Sequence, residues 1–174
     1  MAKTNDELLA ILSQFALEEK VVSAEPFGNG HINDTLKVTT DKGEIKYVLQ
    51  RINHLVFTNV EMLQHNIHVV TTHIREKLEA KGETDIDRKV LTFLPTKDGK
   101  YYYFDGDSYW RVCLFIPRSK SYEEVTPELS YEAGKAFGDF QLMLSDLPEG
   151  SLGETIPNFH NLSLIHISEP TRPY

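Results

Sequence analysis

A pair of glycines and a strand cation are the residues of this chain whose types and spacing best suit chemistry. Gly28-Asn29-Gly30 falls between two β-rich runs, residues 21–27 and 35–40. Dinucleotide-binding and Walker-type phosphate loops need a strand, then glycines, then a helix, so neither fits. A glycine turn inside a hairpin suits another use, a backbone that closes over nucleotide phosphates. An ordinary tight turn would read the same way. The strand that follows carries Val48-Leu49-Gln50-Arg51. This has the spacing of a Val-Ala-Ile-Lys strand, with Arg51 where the lysine stands. A cation there can meet the α/β-phosphates and a helix carboxylate. The alternatives are a solvated strand arginine, or a register in which Gln50 faces the nucleotide, because neighbouring strand residues point to opposite sides. Glu61 opens the next helix and could supply the carboxylate, although Thr58-x-x-Glu61 also reads as a capping box. His65, one turn on, is the other candidate.

Other reactive types give weaker patterns. The chain has seven histidines. His65 and His68 share a helix face, but no HExxH pattern or third ligand follows, so they read as surface residues. His31-x-Asn33-Asp34 has the outline of a catalytic His-x-Asp but sits in the glycine turn. Asp105-Gly106-Asp107 starts like a calcium loop, lacks the rest of the ligand series and reads as a turn. There is no Gly-x-Ser-x-Gly nucleophile elbow. The one cysteine, Cys113, lies in an apolar run, where it reads as a small buried hydrophobe. A lone cysteine forms no internal disulfide, which points to a reducing, cytoplasmic setting. A net charge of −8 disfavours nucleic acid and anionic membranes as partners. No apolar run reaches membrane-spanning length.

The elements that must position these residues can be read from periodicity. Thr4-x-x-Glu7 is a capping box, and Leu8, Ile11, Leu12 and Phe15 share a face, so residues 5–19 read as an amphipathic helix. Strands are expected at 21–27, 35–40 and 45–52, the last two joined through Asp41-Lys42-Gly43. Leu63, Ile67, Val70, Ile74 and Leu78 mark a long helix over 59–80, closed by Gly82 at the C′ position. A second β block spans 89–94, 101–104 and 109–115, broken at Asp98-Gly99 and Asp105-Gly106. Thr126-Pro127 caps a last helix, expected to reach about Leu147, on which Gly134 and Gly138 suggest close helix packing. Short hairpin connections predict an α+β fold: a mostly antiparallel sheet of about five strands with the long helix across it.

Three stretches, taken in order, resemble the aminoglycoside phosphotransferase and choline kinase superfamily of small-molecule kinases, on the N-acetylhexosamine 1-kinase side of it. They are residues 27–35, Phe-Gly-Asn-Gly-His-Ile-Asn-Asp-Thr; 47–53, Tyr-Val-Leu-Gln-Arg-Ile-Asn; and 134–141, Gly-Lys-Ala-Phe-Gly-Asp-Phe-Gln. Residues 154–161, Glu-Thr-Ile-Pro-Asn-Phe-His-Asn, fit the same pattern, and the resemblance covers about residues 5–161. It implies a protein-kinase-like N-lobe over 1–117, then a linker and the first helix of a C-lobe over 118–161. ATP would lie between the lobes. Gly28, Asn29 and Gly30 would approach its phosphates, Arg51 would take the strand-lysine role, and the backbone at Phe115 and Ile116 would meet the adenine. The partners implied are ATP and a sugar, with Mg²⁺ as the metal. Another small alcohol (aminoglycoside, choline or homoserine) is the alternative substrate, and a non-enzymatic binding module is the alternative class.

The family's catalytic loop and metal-binding Asp fall beyond residue 161, so no catalytic or metal-binding residue is expected within this chain, and the chain alone is expected to be inactive. Residues 162–172 read, without mismatch, as the in-frame translation of a transposase-type library adapter. On that reading 162–174 is a non-native tail, and the chain is an N-terminal fragment that lacks its C-lobe.

Overall fold

The computed structural model describes residues 3–28, 30, 32–120, 122 and 124–159. The adapter-like tail lies outside the described residues, as do Asn29 and His31.

Helix α1 spans Asn5–Leu12. The Thr4 hydroxyl accepts from the Glu7 amide while the Glu7 carboxylate accepts from the Thr4 amide at 2.7 Å, so the predicted capping box forms. The helix stops well short of residue 19. Phe15, on the extrapolated apolar stripe, instead leaves the helix and makes a β-bridge to Thr96. Its burial is as complete as helical packing would give, so the pattern of apolar residues held while the helix did not.

Three strands follow: β1 (Val21–Pro26), β2 (Asp34–Thr40) and β3 (Ile45–Ile52). Helix α2 covers Val60–Ala80. Its N-cap is Asn59, whose side chain accepts from the Met62 amide at 2.9 Å. The predicted Thr58–Glu61 capping box is therefore corrected by one residue. At the other end Gly82 has φ +70°, its amide bonds to Glu79, and the Glu83 amide bonds to Leu78 at 3.0 Å. This is the doubly bonded glycine terminus that the sequence predicts. Next come a 3₁₀ turn (Ile86–Arg88), β4 (Phe93–Leu94), β5 (Tyr103–Phe104) and β6 (Tyr109–Leu114). Helix α3 (Pro127–Leu144) is capped by Thr126.

Among the described residues the fold is α+β, with one six-stranded sheet in the order β1-β2-β3-β6-β4 and β5 paired to β6 beyond β4. Every pairing is antiparallel. The expected strands 89–94 and 101–104 shrink to two residues each. Between them the Thr96 amide bonds back to the Lys100 carbonyl, so the chain makes a small loop before resuming along the same edge of β6.

The two sheet faces differ. Leu36, Val38, Tyr47, Leu49, Trp110 and Val112 point to one side, where Leu8, Ile11 and Leu12 of α1 close the main core. Ile52 and Tyr109 point to the other, where they meet Val60 and Leu63 of α2. Strand alternation assigns the remaining residues by parity. Over β2 and β3 the α1 side is buried at Val38, Tyr47 and Leu49 and opens at Asp34, Leu36 and Arg51, whereas Thr35, Lys37, Val48 and Gln50 on the α2 side are all half-buried. Helix α3 has no buried residue and exposes Tyr131, Phe137 and Leu142. Gly134 and Gly138 face open space, so the close packing suggested by their spacing does not occur among the described residues.

Candidate functional site

Arg51 stands opposite Asp34 in the β2–β3 register. Its Nε–H donates to Asp34 Oδ2 over 2.6 Å, and the two side chains form an ion pair. Parity puts Arg51 on the α1 side of the sheet. There, with Gly28, Gly30, Asp34, Leu8 and Trp110, it lines a cavity of about 580 Å³ at the N-terminal end of α1. Three of the predicted site residues, Gly28, Gly30 and Arg51, thus come together. They do so away from α2, so the expected pairing of Arg51 with a carboxylate on that helix does not form. Of the two glycines, Gly28 needs its freedom, with φ +79°. A methyl on Gly30 would stand 3.5 Å from the Asn33 carbonyl, an ordinary contact.

Gln50 points to the α2 side. Its Nε2–H donates to Thr35 Oγ1 at 3.1 Å, and its Oε1 accepts from Arg111 Nε–H at 2.9 Å. Thr35, Gln50 and Arg111 are register partners on three adjacent strands, so one line of hydrogen bonds crosses β2, β3 and β6. The Arg111 guanidinium lies 5.2 Å from the centre of the Phe93 ring. Its Nη1 is buried with no partner. On α2, Gln64 is 4% exposed, and neither atom of its amide has a partner. Gln64 and Phe93 share a cavity of about 180 Å³ with His68, Arg75, Thr92 and Tyr101.

The glycine turn also reaches the end of β6. Phe27, directly before Gly28, packs edge-on against Phe115 with ring centres 5.8 Å apart and planes at 72°. Both residues follow one on the α1 side, Pro26 and Leu114 respectively, which directs them to the α2 side. The Phe27 amide bonds to the Thr35 carbonyl, so Phe27 is the cross-strand neighbour of half-buried Thr35, although it also lines the α1-side cavity. The Phe115 amide bonds to the Lys46 carbonyl, and the Ile116 carbonyl accepts from Ser119.

The other predicted site residue, Glu61, is exposed in the first turn of α2. It lines a shallow groove with Met62, His65 and residues 150–153. The histidines are spread out. His65 bonds to the Ser151 carbonyl, His68 stacks on Tyr101, and His73 meets Asp146. Among the described residues no three His, Cys, Asp or Glu side chains could together hold a metal ion, and no helix is long and apolar enough to cross a membrane.

Two acidic groups act structurally. Asp105 resists the upward push of burial because the Ser108 amide, Lys3, the Asp107 amide and the Trp110 indole all bond to it, and its carboxyl is held far below the ordinary range. This is the turn role that the sequence assigns to Asp105-Gly106-Asp107. Lys77 and then His73 hold the Asp146 carboxyl down to about 2, tying the end of α3 to α2.

Sequence reasoning singled out neither Arg111 nor Gln64. The β3–β6 register was the missing signal for Arg111, because nothing local marks it as the neighbour of Gln50. No protein-family model matches the chain. The fold and the site define an α+β protein with a two-faced antiparallel sheet, with α1 and the cavity at its N-terminal end on one side and a half-buried strip beside α2 on the other.

Proposed function

We propose that this chain is the nucleotide-binding part of an ATP-dependent small-molecule kinase, a protein-kinase-like N-lobe followed by the start of a helical C-lobe. The contact between Phe27 and Phe115 carries the reading. It brings the residue ahead of the glycine turn against the end of β6, on one sheet face and beside a strip that is only half-buried. A planar base bounded by two aromatic rings, with a glycine turn near its phosphates, suits that arrangement. Gln50 is the β3 residue facing this strip. Arg51, turned to the α1 side and paired with Asp34, is not assigned to the phosphates.

In this reading Phe115 and Ile116 border the adenine, Gly28 and Gly30, which also line the α1-side cavity, form the turn that closes over the phosphates from the edge of the sheet, and Glu61 has no part in the pairing. Among the described residues no group of three or more His, Cys, Asp or Glu stands ready for a metal, and Mg²⁺ is assigned to the missing C-lobe on the sequence resemblance alone. The exposed apolar residues of α3 suit a C-lobe packed on that helix. The acceptor proposed is the anomeric hydroxyl of an N-acetylhexosamine, on the sequence resemblance alone. Another small alcohol is the alternative acceptor, and a binding module without catalysis is the alternative class. A cytoplasmic setting belongs to the same proposal.

Calorimetric titration of the 174-residue chain with ATP and Mg²⁺ tests the nucleotide reading. Saturable binding that Phe27→Ala weakens is expected. An absence of binding at millimolar ATP would reject it.

A further inference from the structure

We infer that Arg111, on β6, is the cation that meets the phosphates of the bound nucleotide, the part that residue spacing gives to Arg51. The inference rests on the nucleotide reading above.

Arg51 has a counter-charge of its own, and its side chain is 42% exposed on the α1 side. Arg111 has none: no carboxylate pairs with it among the described residues, and its guanidinium is largely buried, with Nη1 left without a partner. A buried charge without a counter-ion is costly, and the group recovers that cost only when an anion arrives. Burial pushes its pKa down, as expected for a cation in that position. The guanidinium is also positioned. Gln50 holds Nε, Thr35 holds Gln50 in turn, and the guanidinium lies 5.2 Å from the centre of the Phe93 ring. That leaves the terminal nitrogens for a ligand, and a planar fork held in place suits two oxygens of a phosphate.

A second, independent feature lies on α2. The Gln64 amide is buried with both its atoms unpartnered, and it borders a cavity that Phe93 also lines. Phe93 thus neighbours both the Arg111 guanidinium, with its unpartnered Nη1, and the cavity bordered by the unpartnered Gln64 amide, which matches a polar occupant between α2 and the sheet better than a dry core does. The site is therefore one for a nucleoside polyphosphate, in which Gln50 is a positioning residue and Arg111 the contact.

The test compares ATP with adenosine, both titrated into the full chain, for wild type, Arg111→Met and Arg111→Lys, with thermal melts to verify folding. Wild type is expected to bind ATP at least tenfold more tightly than adenosine. Arg111→Met should remove most of that advantage while leaving adenosine affinity within twofold, and Arg111→Lys should recover part of it. An unchanged ATP-to-adenosine ratio in Arg111→Met overturns the inference and leaves the nucleotide reading standing. Equal loss of both ligands also overturns it, since Arg111 then only shapes the sheet. If wild type binds neither ligand, the nucleotide reading fails and the inference with it. Should Arg111→Met not fold, Arg111→Lys decides: a lowered ratio supports the inference and an unchanged one overturns it.

Discussion

Asp34 and Arg51 face each other across β2 and β3, with Arg51 Nε–H donating to Asp34 Oδ2 over 2.6 Å. The pair neutralises the cation that the sequence offers to a nucleotide and keeps it on the α1 side. Arg51→Ala is therefore expected to leave ATP affinity within twofold of wild type, and Gln50→Ala to weaken it severalfold. Because the pair is largely solvated, its loss should cost no more than about 1 kcal/mol of stability. The reverse ranking, with Arg51→Ala damaging and Gln50→Ala silent in the same titration, would return the phosphate contact to Arg51.

The two glycines of the turn should respond differently. Gly28 has φ +79°, where a side chain is strained, so Gly28→Ala should lower stability by about 1–2 kcal/mol. Gly30→Ala meets only an ordinary contact with Asn33 and should lie within about 0.5 kcal/mol of wild type. Urea midpoints of the two variants check this, and equal midpoints would contradict it.

Asp105 couples stability to pH. Its folded pKa lies below that of an unfolded aspartate, about 3.9, so its stabilisation is complete above that value. The stabilisation fades as the pH falls from about 4 towards the depressed folded value. Asp105→Asn should therefore be less stable than wild type near neutrality by a margin that stays constant down to about pH 5 and narrows below about pH 4. Urea unfolding followed by far-UV circular dichroism across that range measures the margin. A margin that widened in acid would have the wrong sign.

Cys113 offers a probe of the packing between β6 and β4. Burial pushes its thiol up to about 11, against an opposing pull from Arg111, so at pH 8 almost no thiolate is present and little of it is accessible. Ellman's reagent should label the native chain slowly and the urea-unfolded chain at once. Prompt labelling of the native chain would mean that this edge of the sheet opens readily.

Much of the fold is local, and the sequence holds it. The capping box at Thr4 and Glu7, the periodic stripe of α2 with Gly82 behind it, the Thr126-Pro127 helix start and the β2–β3 hairpin each depend on residues a few positions apart. Such signals act through hydrogen bonds and dihedral preferences within one turn, so they survive translation from letters to structure. Where a distant partner competed, the local signal lost. Phe15 continues the apolar stripe of α1, but its pairing with Thr96 takes it out of the helix.

The site depended on that distant kind of decision. Spacing marked both Gln50 and Arg51, and only the faces given to the sheet by α1 and α2 separate them, because a strand turns adjacent side chains to opposite sides. The proximity of Phe27 to Phe115, and of Gln50 to Arg111, joins residues 88 and 61 positions apart (115 − 27 and 111 − 50). No window along the chain contains such a pair. It exists because β6 inserts beside β3 rather than at the sheet's edge, a choice made by the burial of Trp110 and Val112 against α1.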